Sequence, residues 1–123
     1  PEPRPFSFVY FGDAQNDVRS MWSRVIREAY GDAPKAKFMI HAGDLINNAE
    51  SDAEWGEWFG AGHWLNGMVP SVPVPGNHEM AKLEDGKRRL SHHWRPQFAL
   101  PENGPQGLEE SCFTLTYQNV RII

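Results

Sequence analysis

The sequence predicts an α/β fold built around a parallel β-sheet. Three apolar segments, residues 8–13, 38–44 and 72–77, each end in a glycine followed by Asp or Asn. One helical pattern lies between the first and second segments, and another lies between the second and third. Strands that alternate with helices form parallel sheets, and ligands bind at the carboxyl ends of such strands. We therefore expect the three segment ends to meet at one edge of the sheet.

The composition excludes several classes of protein. The 123 residues suit one small domain or part of a larger one. A net charge of −4 argues against nucleic-acid binding by phosphate neutralisation, and no apolar run reaches membrane-spanning length, so neither partner is expected. The single cysteine, Cys112, excludes an intrachain disulfide framework. The proline-rich residues 1–5 are expected to be a linker and residues 6–123 the domain.

The first third of the chain predicts a β-α-β unit. Residues 6–11 are almost continuously apolar, as expected of a strand that is covered on both faces. Apolar residues then recur at helical spacing over residues 18–30, with Asn16 or Asp17 as the N-cap and Gly31 as the expected end. Residues 38–40 form the second predicted strand, and the His41 that follows is expected to be a buried, hydrogen-bonded histidine.

The rest of the chain predicts one further long helix and several short strands. Residues 51–54 form a capping-box pattern, and the helix is expected to end near residues 66–67. Residues 72–74 predict a short strand, residues 82–89 an exposed charged stretch, and residues 90–96 either a short helix or an ordered loop. Residues 111–117 predict another strand, followed by a hairpin turn and a final apolar strand. A chain that ends within such a strand is expected to be part of a larger domain, and its open edge to favour association.

Three short oxygen donors, Asp13, Asp44 and Asn77, are predicted at the sheet edge. Two carboxylates at one edge repel each other, and a bound cation is the usual remedy. A carboxylate such as Asp44 can bridge two metals about 3.5–4 Å apart, which suits phosphoester hydrolysis. His78 could then contact the substrate phosphate or protonate the leaving group, and Glu79 could orient His78.

Other polar residues leave alternatives open. Gln15 and Asn16 lie beside Asp13, where they could hydrogen-bond a metal-bound water. His92 and His93 could reach the mouth of the site and contact the substrate. The three oxygen donors themselves could instead be ordinary turn residues or helix caps.

The motifs Gly12-Asp13, Gly43-Asp44 and Gly76-Asn77-His78-Glu79 resemble, in this order, those of the calcineurin-like metallophosphoesterases. Gly-Asn-His-Glu is the most specific of them. Residues 94–104 are similar to the purple acid phosphatase-like branch of that family. The resemblance implies the N-terminal half of a four-layer α/β/β/α sandwich with a mixed sheet, so that the domain over residues 6–123 would be truncated on its C-terminal side.

The resemblance also implies an activity. Two ions of iron, manganese or zinc would be bound, with Asp13 on the first metal, Asp44 bridging, Asn77 on the second, and His78 acting on the phosphate. A metal-bound hydroxide would hydrolyse a small phosphate monoester. The alternatives are a phosphodiesterase, a non-catalytic metal- or phosphate-binding module, and an inactive fragment. The compartment is left open, although the resemblance favours a periplasmic or secreted protein.

The chain departs from the family pattern in three places. Gln15 stands where many members have a histidine, which purple acid phosphatases also lack. Asn47 stands where purple acid phosphatases place a tyrosine ligand, so a purple colour is not expected. The later histidine ligands of the family have no counterpart, because only His92 and His93 follow the Gly-Asn-His-Glu motif. The missing C-terminal half or a second chain is therefore expected to complete the site.

Overall fold

A computed structural model describes residues 2–123 and confirms a mixed α/β architecture with parallel and antiparallel sheets. Pro1, the first residue of the expected linker, lies outside the described residues. The parallel sheet has the order β1-β2-β3 and consists of β1 (Val9–Phe11), β2 (Met39–His41) and β3 (Ser71–Pro73). Two antiparallel hairpins follow, formed by β4 (Met80–Lys82) with β5 (Arg88–Leu90) and by β6 (Leu115–Tyr117) with β7 (Val120–Ile122).

The three parallel strands end at the same level. Phe11 is in register with His41, which is in register with Pro73. The amide of Ala42 donates to the carbonyl of Phe11 (2.8 Å), and the amide of Val74 donates to the carbonyl of His41 (2.9 Å). The segments that follow the strands therefore leave the sheet side by side, as a common site at the carboxyl edge requires.

The first helical segment differs from its prediction. It begins with a π-helical turn over Val18–Trp22 and continues as α1 (Ser23–Asp32), so that it extends one residue past the expected end. The predicted N-cap Asp17 has a left-handed backbone (φ 50°) and makes no side-chain capping bond. Met21 and Val25, expected on the buried face, are 51% and 48% exposed. The π-turn over Val18–Trp22 changes the angular spacing of the side chains within it, Met21 included, whereas Val25 lies in the regular helix that follows.

The second helix, α2 (Asp52–Asn66), has the predicted bounds, and a short α3 spans Trp94–Gln97. Ser51 Oγ accepts from the amide of Glu54 (3.3 Å), which is half of the expected capping box. The Glu54 carboxylate instead accepts from the amides of Asn47 (2.7 Å) and Asn48 (2.9 Å), so that it ties the loop after β2 to the start of α2. Within residues 2–123, none of the helices combines the length and the apolar character needed to cross a membrane.

The hydrophobic core is largely aromatic and backs the carboxyl end of the sheet. The rings of Trp22 and Trp58 stack with centroids 6.2 Å apart, and Phe11 meets Trp22 edge-on at 4.7 Å. His41 lies among them, 5.2 Å from the ring of Trp58, and is 1% exposed. Trp55 is also buried. The expected assignment of these tryptophans to the core is confirmed.

His41 is expected to make the stability of the protein depend on pH. Its Nε2 is hydrogen-bonded to Ser71 Oγ (3.2 Å), whereas its Nδ1 is buried without a partner among residues 2–123. Burial lowers the pKa of His41 from 6.5 to about 4. As the pH falls, His41 is therefore protonated in the unfolded chain before it is protonated in the folded protein. The free energy of unfolding should fall as the pH decreases from about 6.5 to about 4, and His41 should account for up to about 3 kcal/mol of that fall.

Urea unfolding, followed by tryptophan fluorescence at pH 7 and pH 4.5, tests this expectation. The stability lost between the two pH values should be about 2–3 kcal/mol smaller in His41→Gln than in the wild type. His63→Gln, which changes an exposed histidine of α2, should behave like the wild type. An equal loss in the wild type and His41→Gln would show that His41 does not control the acid sensitivity.

Candidate functional site

The segments after β1 and β2 make similar turns. Asp13 and Asp44 both have a left-handed backbone with φ of 53°. Among residues other than glycine, Asp and Asn tolerate this conformation best, yet it still costs free energy and is concentrated at functional sites. Asp13 is exposed and Asp44 is half-buried. The repeated Gly-Asp sequence thus places two carboxylates at the ends of neighbouring strands.

Two glycines bring the segment after β2 into direct contact with the segment after β3. A Cβ atom on Gly43 would lie 2.4 Å from the backbone nitrogen of Gly76. A Cβ atom on Gly76 would lie 2.3 Å from Asp44 Oδ1 and 2.6 Å from Asp44 N. There is no space for a side chain at either position, so the glycines of both motifs are required for the close approach of Asp44 and the third segment.

A buried carboxylate joins the same two segments from the inside. Glu79 is 0% exposed, and its oxygens accept from the amides of Asp44 (2.8 Å), Leu45 (2.7 Å) and Gly76 (2.7 Å), with a longer contact to Ile46 (3.4 Å). Burial raises the pKa of the Glu79 carboxyl, and the four amide donors offset part of that increase. Glu79 therefore fixes the shape of the Asp44 turn.

Two hydrogen bonds position His78, and the role of Glu79 in orienting it stays a prediction. Its amide donates to Asp44 Oδ1 (2.9 Å), and its Nδ1 lies 2.7 Å from the carbonyl oxygen of Asn47. Because a carbonyl oxygen only accepts, Nδ1 must carry a hydrogen. Nε2 is then an acceptor when the ring is neutral and a donor when the ring is protonated. Asn47 thus sets the tautomer of His78 through its main chain.

A cavity of about 490 Å³ opens beside His78 and Asn77. Lys82 and Arg88 also line it, and Arg88 Nη1 donates to the carbonyl of Asn77 (3.0 Å). The volume is in the range that small ligands occupy, and the two cations suit an anionic ligand. The sequence predicted an exposed charged stretch here but missed the hairpin β4-β5 that carries both cations. The Asp-Gly dipeptide at residues 85–86 was the available signal for that hairpin.

The other predicted site residues are Gln15, Asn16, His92 and His93. Gln15 is half-buried, its Oε1 has no hydrogen-bond partner in the described part of the chain, and Asn16 is exposed. His92 and His93 lie beside Glu50, with ring centroids 4.1 Å apart. His92 lines a neighbouring cavity of about 650 Å³, which shares two lining residues with the first, Met80 and Arg88.

The donor chemistry at the strand ends fits metal ions. Asp13, Asp44 and Asn77 all offer oxygen atoms, which hard cations prefer. Among the residues that the structure describes, neither aspartate forms a salt bridge that would offset its charge. Over residues 2–123, however, neither belongs to a group of three His, Cys, Asp or Glu side chains near enough to hold one ion. The strand ends thus offer oxygen atoms of the kind that hard metal ions prefer.

Comparison with known proteins agrees with this arrangement. The family model for calcineurin-like phosphoesterases matches residues 6–118. This match covers all three segments at the sheet edge and reaches the turn after β6. No curated protein and no solved structure shows significant similarity to the chain.

Proposed function

The chain belongs to the calcineurin-like phosphoesterase family, and from this membership we propose that it hydrolyses small phosphate monoesters in the manner of the purple acid phosphatase-like branch. Family membership itself indicates metal-dependent phosphoester hydrolysis. The contact between Asp44 and the Gly-Asn-His-Glu segment is the observation that carries the proposal. In that contact, the candidate metal ligand Asp44 accepts a hydrogen bond from the amide of the candidate catalytic residue His78.

In this proposal, Asp13 would hold one ion, Asn77 would hold the other, and both would share Asp44. The ions, of iron, manganese or zinc, would activate the attacking water and stabilise charge in the transition state. Asp44 Oδ1 already accepts one hydrogen bond, and a carboxylate has further lone pairs for cations. The carboxylates of Asp13 and Asp44, together with the amide oxygen of Asn77, would thus form the protein's share of the site.

His78 and the two cations of the β4-β5 hairpin would handle the substrate. With Nδ1 donating to Asn47, a protonated His78 can donate from Nε2 to a phosphate oxygen or to the leaving group. Lys82 and Arg88, on the wall of the same cavity, would attract the phosphate and hold it near His78. Gln15, in place of the histidine found at the first tip of many family members, supports the purple acid phosphatase-like branch.

A metal- or phosphate-binding module without turnover is the second candidate. It is favoured by the positions of His92 and His93, which lie beside Glu50 and do not join the strand-end aspartates in one donor group of the described chain. Both the phosphoesterase and the binding module could bind metal, so only hydrolysis of a phosphoester distinguishes them.

Hydrolysis of a chromogenic phosphate monoester tests the proposal. The metal-free chain should gain activity when manganese, zinc or iron is added, and a chelator should remove that activity. Asp13→Asn should lower the rate at least about 100-fold because it removes a charged ligand. Asp17→Asn is the matched control: it changes an exposed aspartate with the same left-handed conformation (φ 50° against 53°) and should leave the rate unchanged.

The outcomes separate the candidates. Metal binding that depends on Asp13, without turnover of a monoester or a diester, would favour the binding module. Turnover of the diester alone would replace the monoester assignment. Activity that survives both chelation and Asp13→Asn would overturn the metal-dependent mechanism.

A further inference from the structure

Two histidines and a glutamate converge in a place that the proposed phosphoesterase site does not use. The candidate ligand atoms of Glu50, His92 and His93 all lie within 4.8 Å of one another. Two ligands of one tetrahedral zinc ion, bound at about 2.0–2.1 Å, lie roughly 3.3 Å apart. Small side-chain rotations would therefore bring the three atoms around one ion. We propose that these three residues bind a divalent transition metal of the zinc type.

A buried serine holds the two parts of this cluster together. Ser91, which is 3% exposed, donates from Oγ to the carbonyl of Ala49 (2.5 Å) and accepts at the same atom from the amide of His93 (3.1 Å). Ala49 directly precedes Glu50, and Ser91 directly precedes His92. The main chain on both sides of the cluster is thus fixed without a metal, which reduces the entropy that binding must overcome.

The charges around the cluster favour a cation. One Glu50 oxygen contacts His92 Nδ1, and the other lies 3.3 Å from Arg89 Nη1. Asp52 Oδ1 lies 4.0 Å from His93 Nδ1 and adds a second carboxylate. With both histidines neutral, two negative charges face the single positive charge of Arg89. A metal bound at His92 Nδ1 would take the place of the hydrogen between that atom and Glu50, and the neutral ring would keep its one proton on Nε2.

The donor set separates this cluster from the strand ends. Imidazole nitrogens favour zinc, nickel, copper and cobalt, whereas sets of oxygen atoms suit manganese and magnesium. Two histidines with one carboxylate also form a three-ligand set known for zinc, which leaves a position for water or another ligand. The cluster should therefore prefer zinc to manganese. This preference does not depend on phosphoester hydrolysis at the sheet edge.

Zinc titration of the whole chain, in competition with a chromophoric chelator, tests the inference. In Asp44→Asn, which weakens metal binding at the sheet edge, one zinc ion per chain should still bind. Adding His92→Ala and His93→Ala to that variant should weaken this zinc binding by about 100-fold or more. Loss of a residue that only hydrogen-bonds to a metal ligand typically weakens metal binding by about 10–100-fold, so the larger effect would identify the histidines as ligands. His63→Ala, which changes an exposed histidine of α2 outside the cluster, should have no effect.

Cobalt spectra and a conservative variant make the result decisive. Cobalt bound to Asp44→Asn should show a ligand-field absorption band that disappears with the two histidines. If the double histidine variant unfolds, Glu50→Gln, which keeps the side-chain volume, takes its place and should weaken zinc binding at least about tenfold. The inference is overturned if Asp44→Asn binds no zinc, or if folded variants of the cluster bind zinc as before. Neither outcome depends on whether the chain hydrolyses phosphoesters.

Discussion

Replacing Asp44 by Asn is expected to lower metal-dependent phosphoester hydrolysis by at least about 1,000-fold. Asp44 is the proposed bridge between the metals, and an amide lacks the negative charge of a carboxylate and offers one oxygen atom in place of two. Asn can still accept the hydrogen bond from the amide of His78 (2.9 Å), and it tolerates a φ of 53°. The substitution should thus remove the charge and preserve the turn.

The measurement pairs steady-state hydrolysis with the amount of manganese bound and with the thermal midpoint of unfolding. Asp44→Asn should lose activity and manganese while its midpoint stays within a few degrees of the wild type. Asp85→Asn, at an exposed aspartate in the β4-β5 turn, serves as the control and should retain full activity. Retained hydrolysis in folded Asp44→Asn would rule out a bridging carboxylate at this position.

Gly76→Ala is expected to destabilise the fold by about 3 kcal/mol and to weaken metal binding at the sheet edge. The new Cβ atom would lie 2.3 Å from Asp44 Oδ1 and 2.6 Å from Asp44 N, and backbone atoms cannot move aside as the end of a flexible side chain can. Separating the two segments would also stretch the hydrogen bond from the Gly76 amide to Glu79 (2.7 Å). Gly76→Ala should therefore lower the free energy of unfolding and also displace Asp44.

Gly60→Ala in α2 is the matched control, because a Cβ atom there would meet no atom of the described residues within 4 Å. That change should stabilise the protein by up to about 1 kcal/mol, since alanine favours helix more than glycine does. Urea unfolding of the two variants should give free-energy changes of opposite sign. If Gly76→Ala were as stable as the wild type, the contact between the two segments would have to relax easily, and the steric explanation would fail.

The features that could be predicted are those determined by residues close together in the sequence. The alternation of strands and helices predicted the parallel sheet, and the match to the phosphoesterase family over residues 6–118 agrees with the motifs at the strand ends. The bounds of α2 followed from Ser51 at its start and Gly67 at its end. Buried tryptophans were predictable because apolar rings at helical spacing seldom face water.

The features that the sequence did not predict depend on distant contacts. The carboxylate of Glu79 binds amides 33 to 35 residues earlier in the chain, and nothing near Glu79 indicates these partners. The π-turn before α1 was not predicted, because it has no glycine or proline to mark it. Strand ends moved by up to four residues, because pairing with a neighbouring strand decides where a ladder begins.

The bond between Glu79 and the Asp44 turn also sets an order of events during synthesis. The amides of Asp44, Leu45 and Ile46 emerge from the ribosome before the carboxylate that will accept from them, which follows 33 to 35 residues later. At ordinary elongation rates this delay is about 2–7 s. Burying these amides earlier would leave them unpaired, at a cost in free energy. The turn should therefore stay hydrated on the nascent chain until Glu79 arrives, long after β1, α1 and β2 have been made.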